Sequence, residues 1–196
     1  MFLWFFYGRY SKSPFFCLFL CFYVFWGKGI LHFKVKYIMK INCLCIGETA
    51  FSYLDTGIEL YDKRLQHLNA NHSWTVIPNI KNAKNLSESQ LKEKEGELIL
   101  KKLEDGDFVV LLDERGKQYD SIAFAQTLEQ WQMQSYKRIV FIIGGAYGFS
   151  DTVYARANSK MSLSKMTFSH QMIRLFYIEQ IYRAFAIMNN QPYHHA

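Results

Sequence analysis

Two short runs constrain this chain more than any other part of it: DFVVLLD at residues 107–113 and RIVFII at 138–143. Each is apolar at consecutive positions, not at every second one. A strand with water against one face alternates apolar and polar side chains, because successive side chains point to opposite faces. A strand apolar on both faces needs cover on both, and a parallel sheet flanked by helices supplies it. Both runs lie between segments of helical periodicity. Strands alternating with helices predict an α/β fold around a parallel sheet.

The alternation begins at Met39. KINCLCI (40–46) is a short β-rich run. YLDTGIELYDKRLQHL (53–68) places Ile58, Tyr61, Leu65 and Leu68 at helical spacing. SWTVIP is a strand ended by Pro78, and NIKNAKNL a polar loop. SESQLKEKEGELILKKL opens on Ser87 as a cap, with acids early and bases late, as the helix dipole favours. RGK, after DFVVLLD, reads as a turn. SIAFAQTLEQWQM is a helix with Ile122, Leu128 and Trp131 as core residues. No internal repeat or low-complexity linker interrupts residues 39–196, so they form one domain. Cys43 and Cys45 alternate along one strand and so share a face. Cys17 and Cys21 are the other two cysteines of the chain, far off in sequence; no second pair and no histidine at ligand spacing accompanies Cys43 and Cys45, so the cysteines are expected to be buried thiols, with no metal site.

Residues 1–38 have a different composition. They are crowded with Phe, Tyr and Trp, and they hold Arg9, Lys12, Lys28, Lys34 and Lys36 but no acid. Their longest uncharged apolar run, residues 15–26, has 12 residues. A bilayer span needs about 20. No small-x-small cleavage site follows. These residues are expected to be an extension upstream of the true start at Met39, with no stable membrane association. The alternative is a membrane anchor. The net charge of +6 also narrows here, because without this segment the charges nearly cancel. Residues 156–196 are basic again, with Arg156, Lys160, Lys165, Arg174 and Arg183 against Glu179 alone. A positive C-terminal third suits an anionic partner.

RIVFII runs into GGAYGFS (144–150), a turn that lets a ligand approach the backbone closely. It is not a dinucleotide fingerprint. The first glycine is missing, the loop follows the fourth strand, and position 168 is Phe where an acid is needed. A nicotinamide-binding oxidoreductase is therefore only a second class of function. Read plainly, Ser150 caps a helix with Asp151 in its first turn. Ligands of open α/β sheets lie outside the carboxyl ends of the strands, where this loop and the one after DFVVLLD both sit. MSLSKMTFSHQ (161–171) is polar, lacks Gly and Pro, and is longer than a turn needs, although Ser169 can cap the helix after it. That helix, about residues 170–188, is apolar nearly all round. Met172, Leu175 and Phe176 take one side, and Ile178, Ile181 and Phe185 another. A sheet covers one side, so a second copy is expected to cover the other, giving a C2 homodimer. Glu179 and Arg183 are an i,i+4 pair on the Met172 side. His170, Arg174 and Tyr177 share a different face, near the ligand loop.

YLDTGIELYDKRL, KEGELIL, LLDERGK, FIIGGAYGFS, MSLSKMTFSHQMIRLFYIEQIYRAF and PYHH follow one another along the chain. In that order and register they resemble the SPOUT-class methyltransferases of the ribosomal RNA large subunit methyltransferase H family. The likeness covers nearly all of residues 39–196. It implies a parallel-sheet SPOUT fold with a C-terminal deep trefoil knot, a homodimer, a cytoplasmic location and S-adenosyl-L-methionine as cofactor. The implied reaction is methylation of N3 of a pseudouridine in 23S rRNA within the ribosome. Carried over by position, the implied cofactor pocket uses Leu112, Gly144, Gly145, Ser164, Lys165, Met166, Thr167, Phe168 and Ser169. The implied substrate side holds His170, Arg174, Glu179, Arg183, Tyr193 and His194. Read beside GGAYGFS, MSLSKMTFSHQ becomes the second wall of that pocket.

N3 of pseudouridine carries a proton, so a base or a deprotonated substrate is required, and His170 and His194 are the candidates. Lys165, Arg174 and Arg183 are expected to meet rRNA phosphates. The alternative on this resemblance is a non-catalytic or membrane-tethered rRNA-binding relative. The chain departs from the pattern at Ser169, where the family has proline, and at His195, where its tail has a basic residue. Serine frees an N–H and loosens φ at the end of the loop. Cofactor binding is expected to be retained.

Overall fold

The computed structural model describes residues 39–193. The expectations for residues 1–38, Cys17 and Cys21 included, and for His194 and His195 lie outside the described residues. In chain order the elements are β1 (Lys40–Ile46), α1 (Ser52–His67), β2 (His72–Ile77), α2 (Glu88–Leu100), β3 (Asp107–Gln118), α3 (Ser121–Gln132), β4 (Arg138–Ile143), α4 (Asp151–Arg156), β5 (Ser159–Ser162) and α5 (Met172–Met188). The five strands form one sheet in the order β2-β1-β4-β3-β5, every pair parallel.

The continuous apolar strands are covered on both faces. Ile41, Cys43, Cys45, Phe108, Val110, Ile139 and Phe141 point into a core built with α1, α3 and α5. Their neighbours Leu44, Ile46, Val109, Leu111, Val140 and Ile142 point the other way, onto Ile99 of α2 and Val153 of α4. The period of two assigns each residue to its layer. Both cysteines are free and buried.

Local chemistry sets the helix starts. Ser87 and Gln90 form a reciprocal capping box at α2. Asp120 accepts from the Ala123 amide, 2.7 Å away, at the start of α3. Below the sheet, Arg138 meets the buried Asp107 at 2.6 and 2.9 Å, locking the amino ends of β4 and β3 together.

Four expectations need correction. Ile122 is not core: it is 44 % exposed, while Phe124, Leu128 and Trp131 are buried. Two residues before Phe124 is about 200° round a helix, the opposite face. RGK is not a turn, because β3 runs through it to Gln118. Met161 of β5 pairs both Leu112 and Lys117, so β3 bulges over residues 113–116 and rejoins the ladder. Met161 and Ser162, read as the start of the polar run, belong instead to an edge strand, Ser159–Ser162. Finally, α5 starts at Met172, not His170. Ser169 still accepts from the Met172 amide, at 3.2 Å.

The chain itself covers much of α5. Tyr177, Ile178, Ile181, Ala184 and Phe185 are buried, and Leu175 packs on Gly57 of α1, where an added Cβ would come within 2.9 Å of it. Phe176 stays 38 % exposed and stacks at 4.6 Å on Phe168.

Candidate active site

A cleft of about 820 Å³ opens outside the carboxyl ends of β3, β4 and β5. Its floor is Leu112, Ile143 and Met161, where those strands stop or bulge. One wall is the glycine loop from Gly144 to Phe149, the other the loop from Leu163 to His170. This size suits a cofactor-sized molecule.

Each wall is held by its own sequence. Gly148 adopts φ +81°, in the left-handed region that favours glycine, and its amide reaches back to the Gly145 carbonyl at 3.3 Å. Gly144 lies against the Phe149 ring, where a Cβ would come within 3.0 Å. The other wall needs no glycine because serines fold it. Ser162 donates to the Ser164 carbonyl at 2.7 Å, and Ser164 accepts from the Met166 amide at 2.9 Å. Such side chain–backbone bonds do the work of a turn. Ser150 stands at the N-cap of α4, but its hydroxyl bonds Thr152 rather than a backbone amide.

Leu112, Gly144, Gly145, Ser164, Met166, Thr167, Phe168 and Ser169 all line the cleft, and His170 stands at its end. Lys165, between two lining residues, is exposed and does not line it. Burial first, then the Arg174 guanidinium, pushes the His170 pKa below the usual imidazole value. A neutral ring at pH 7 follows, free to accept a proton.

Arg174 is not a phosphate contact. It is 1 % exposed. Its guanidinium donates to the Ile46 carbonyl at 2.7 Å, to Thr49 Oγ1 at 3.1 Å and to the His170 carbonyl at 3.2 Å. It fastens the start of α5 to the carboxyl end of β1. Gln171 reinforces that joint, accepting from the Ala50 amide at 2.9 Å and donating to the Glu48 carbonyl at 3.1 Å.

Glu179, Arg183 and Tyr193 form a separate cluster. Glu179 Oε1 accepts from Arg183 at 2.5 Å and from Tyr193 at 3.2 Å. The Arg183 guanidinium lies 4.8 Å from the Tyr193 ring centre, and Tyr61 and Tyr182 flank the tail. None of the three lines the cleft.

Sequence reasoning missed the bulge side of the cleft. Asp113 accepts a short hydrogen bond from the Tyr154 hydroxyl and one from the Arg115 amide at 2.7 Å. Burial, then the bond to Asp113, pushes the Tyr154 pKa up to about 12. Glu114 reaches Thr167 at 3.4 Å, bridging the bulge to the serine wall. The bulge left no periodicity to read. Among the described residues no group of three or more His, Cys, Asp or Glu is arranged to hold a metal.

A parallel α/β sheet with one lined cleft outside its carboxyl ends is the arrangement of a cofactor-binding enzyme domain. A family described as "Predicted SPOUT methyltransferase" matches residues 39–194, and the chain belongs to that family. It is 57 % identical over 157 residues to a ribosomal RNA large subunit methyltransferase H of Parabacteroides distasonis, covering 80 % of this chain and 99 % of that one. The corresponding protein of Christiangramia forsetii is 54 % identical over the same shares. Among solved structures, the SpoU methyltransferase AviRb of Streptomyces viridochromogenes, in complex with AdoMet, matches with a TM-score of 0.37 at 11 % identity, over 78 % of this chain and 59 % of that one. That last likeness is too distant to bear on function. The family match removes the oxidoreductase alternative.

Proposed function

We propose that this chain is an S-adenosylmethionine-dependent methyltransferase of 23S rRNA, acting on N3 of a pseudouridine within the ribosome. The observation that carries this is the convergence of the glycine loop and the serine loop over the ends of β3, β4 and β5. The residues fit the cofactor. Leu112, Ile143 and Met161 offer an apolar floor, and Gly144 and Gly145 add backbone to the lining. Asp113, Glu114 and Asp151 outnumber Lys92 and Arg115 in the lining, which suits a molecule whose sulfonium and ammonium outnumber its carboxylate. Gly144, Gly145, Ser164 and residues 166–169 would hold it, and its sulfonium would supply an electrophilic methyl group.

The chain's own groups do the rest. His170, neutral and at the end of the cleft, takes the N3 proton. Arg174 and Gln171 fix the backbone beneath it, so that the base and the acceptor are held in position. Arg183 and Tyr193 serve the substrate from the neighbouring cluster. The domain is nearly neutral, so the RNA is recognised by shape on a large particle more than by charge.

The same reading includes a homodimer, a C-terminal trefoil knot and a cytoplasmic location. The exposed Phe168–Phe176 stack and Met166, 76 % exposed, favour a second copy against α5. A β5 that returns beside β3 after β4 has been laid on the other side is compatible with a knot. No helix among the described residues is long and apolar enough to cross a membrane. Mass mapping of 23S rRNA from cells with and without the protein tests the activity. One methylpseudouridine should vanish, and an unchanged map would reject the assignment.

A further inference from the structure

Glu95 of α2 is 8 % exposed. Among the described residues its carboxyl makes no hydrogen bond or ion pair. The side chain is largely enclosed, but neither oxygen is fully closed to solvent, so both stay open to a partner from outside the chain. The carboxyl lies directly against Gly145 of the cleft wall. An added Cβ at Gly145 would come within 2.8 Å of Glu95 Oε1 and closer still to Oε2. Glycine at 145 therefore lets the carboxyl come up against the wall of the cleft, with Glu95 itself standing just behind the lining residues. Lys92, one turn earlier on the same face of α2, lines the cleft itself. Burial pushes the Glu95 pKa up, as expected of a carboxyl whose partner is missing.

We propose that Glu95 is a cofactor-binding residue whose carboxylate accepts hydrogen bonds from donor groups of S-adenosylmethionine lying against Gly145. This rests on the cofactor reading above. Three parts of the cofactor carry such donors: the adenine amino group, the ribose hydroxyls and the amino-acid ammonium. Any of the three would give the carboxylate the partner that the protein withholds. A charge-assisted bond of this kind is among the stronger ones available to a ligand.

The test is calorimetry of wild type, Glu95→Gln and Glu95→Ala, each with S-adenosylmethionine and with 5′-methylthioadenosine, alongside ligand-free melting curves. Glu95→Ala should weaken S-adenosylmethionine binding roughly 10- to 100-fold, Glu95→Gln less, with ligand-free melting little changed. Equal weakening for methylthioadenosine places the donor on the nucleoside, at its adenine amino group or its ribose hydroxyls. Weakening confined to S-adenosylmethionine places it on the ammonium. Variants that bind as tightly as wild type, or that lose melting temperature without losing affinity, would overturn the proposal. If Glu95→Ala does not fold, Glu95→Gln alone decides. Failure of wild type to bind S-adenosylmethionine would instead overturn the cofactor reading.

Discussion

Gly116→Ala should destabilise the protein, and the sign of the effect is diagnostic. In a strand, alanine normally improves on glycine by about 0.4–1 kcal/mol, because it restricts the unfolded chain. Here the space is missing. A Cβ at residue 116 would lie 2.5 Å from the backbone N and C of Met161 and 2.7 Å from its Cα, where ordinary contact begins at 3.4 Å. These are backbone atoms, so no rotamer relieves the clash, and β3 and β5 must part by nearly an ångström. Overpacking of this kind costs about 1–3 kcal/mol, leaving a net loss of about 1–2 kcal/mol. For a chain of this size that is a fall in Tm of roughly 2–8 °C. Met161 is also the floor of the cleft and Ser162 the root of its serine wall, so S-adenosylmethionine affinity should fall with stability. Urea unfolding and calorimetry on the same preparation measure both. A variant as stable as wild type, or more stable, would refute the close approach of the two strands.

Arg174→Met should cost about 1–3 kcal/mol in urea unfolding, because the buried Ile46 carbonyl loses its donor; a neutral result would mean that water replaces the guanidinium. Asp107→Asn breaks the pairing with Arg138 at the opposite end of the sheet and should cost about 3 kcal/mol while leaving cofactor affinity intact; a change in affinity would show that the two ends are coupled. His170→Ala should lower kcat far more than cofactor affinity, and the acid limb of the wild-type pH–rate profile should fall below the usual imidazole pKa of about 6.5. The stability sign follows from the same shift. The unfolded chain takes up this proton at a higher pH than the native state does, so His170 lowers native stability as pH falls through the unfolded value, and His170→Ala should lessen the acid sensitivity.

The sheet and its two layers were legible because burial on both faces leaves a simple trace, as in DFVVLLD and RIVFII. The two walls were legible as GGAYGFS and MSLSKMTFSHQ, since each departs from ordinary turn composition. What stayed hidden depends on contacts distant in sequence. Nothing around Gly116 announces that a second strand will pass so close, and so the bulge was read as a turn. Arg174 looks like a surface charge in a basic segment. Only the fold shows the Ile46 carbonyl waiting for it. Ile122 was misplaced because an apolar residue in a first helical turn can face either way. Glu95 sits in KEGELIL among exposed acids, with no local sign that it alone turns inward.

The strand order β2-β1-β4-β3-β5 also has a consequence for how the chain is made. Cys43 of β1 pairs with Phe141 of β4, so the centre of the sheet joins residues from opposite ends of the domain. During synthesis β1 and β2 can pair early, but the slot beside β1 must stay open until β4 emerges. Closing so long a loop makes folding slow. The layer under α5 stays uncovered longer still, since that helix is synthesised after every strand. A nascent chain of this protein therefore has no helix to cover that apolar face until its last segment has been made.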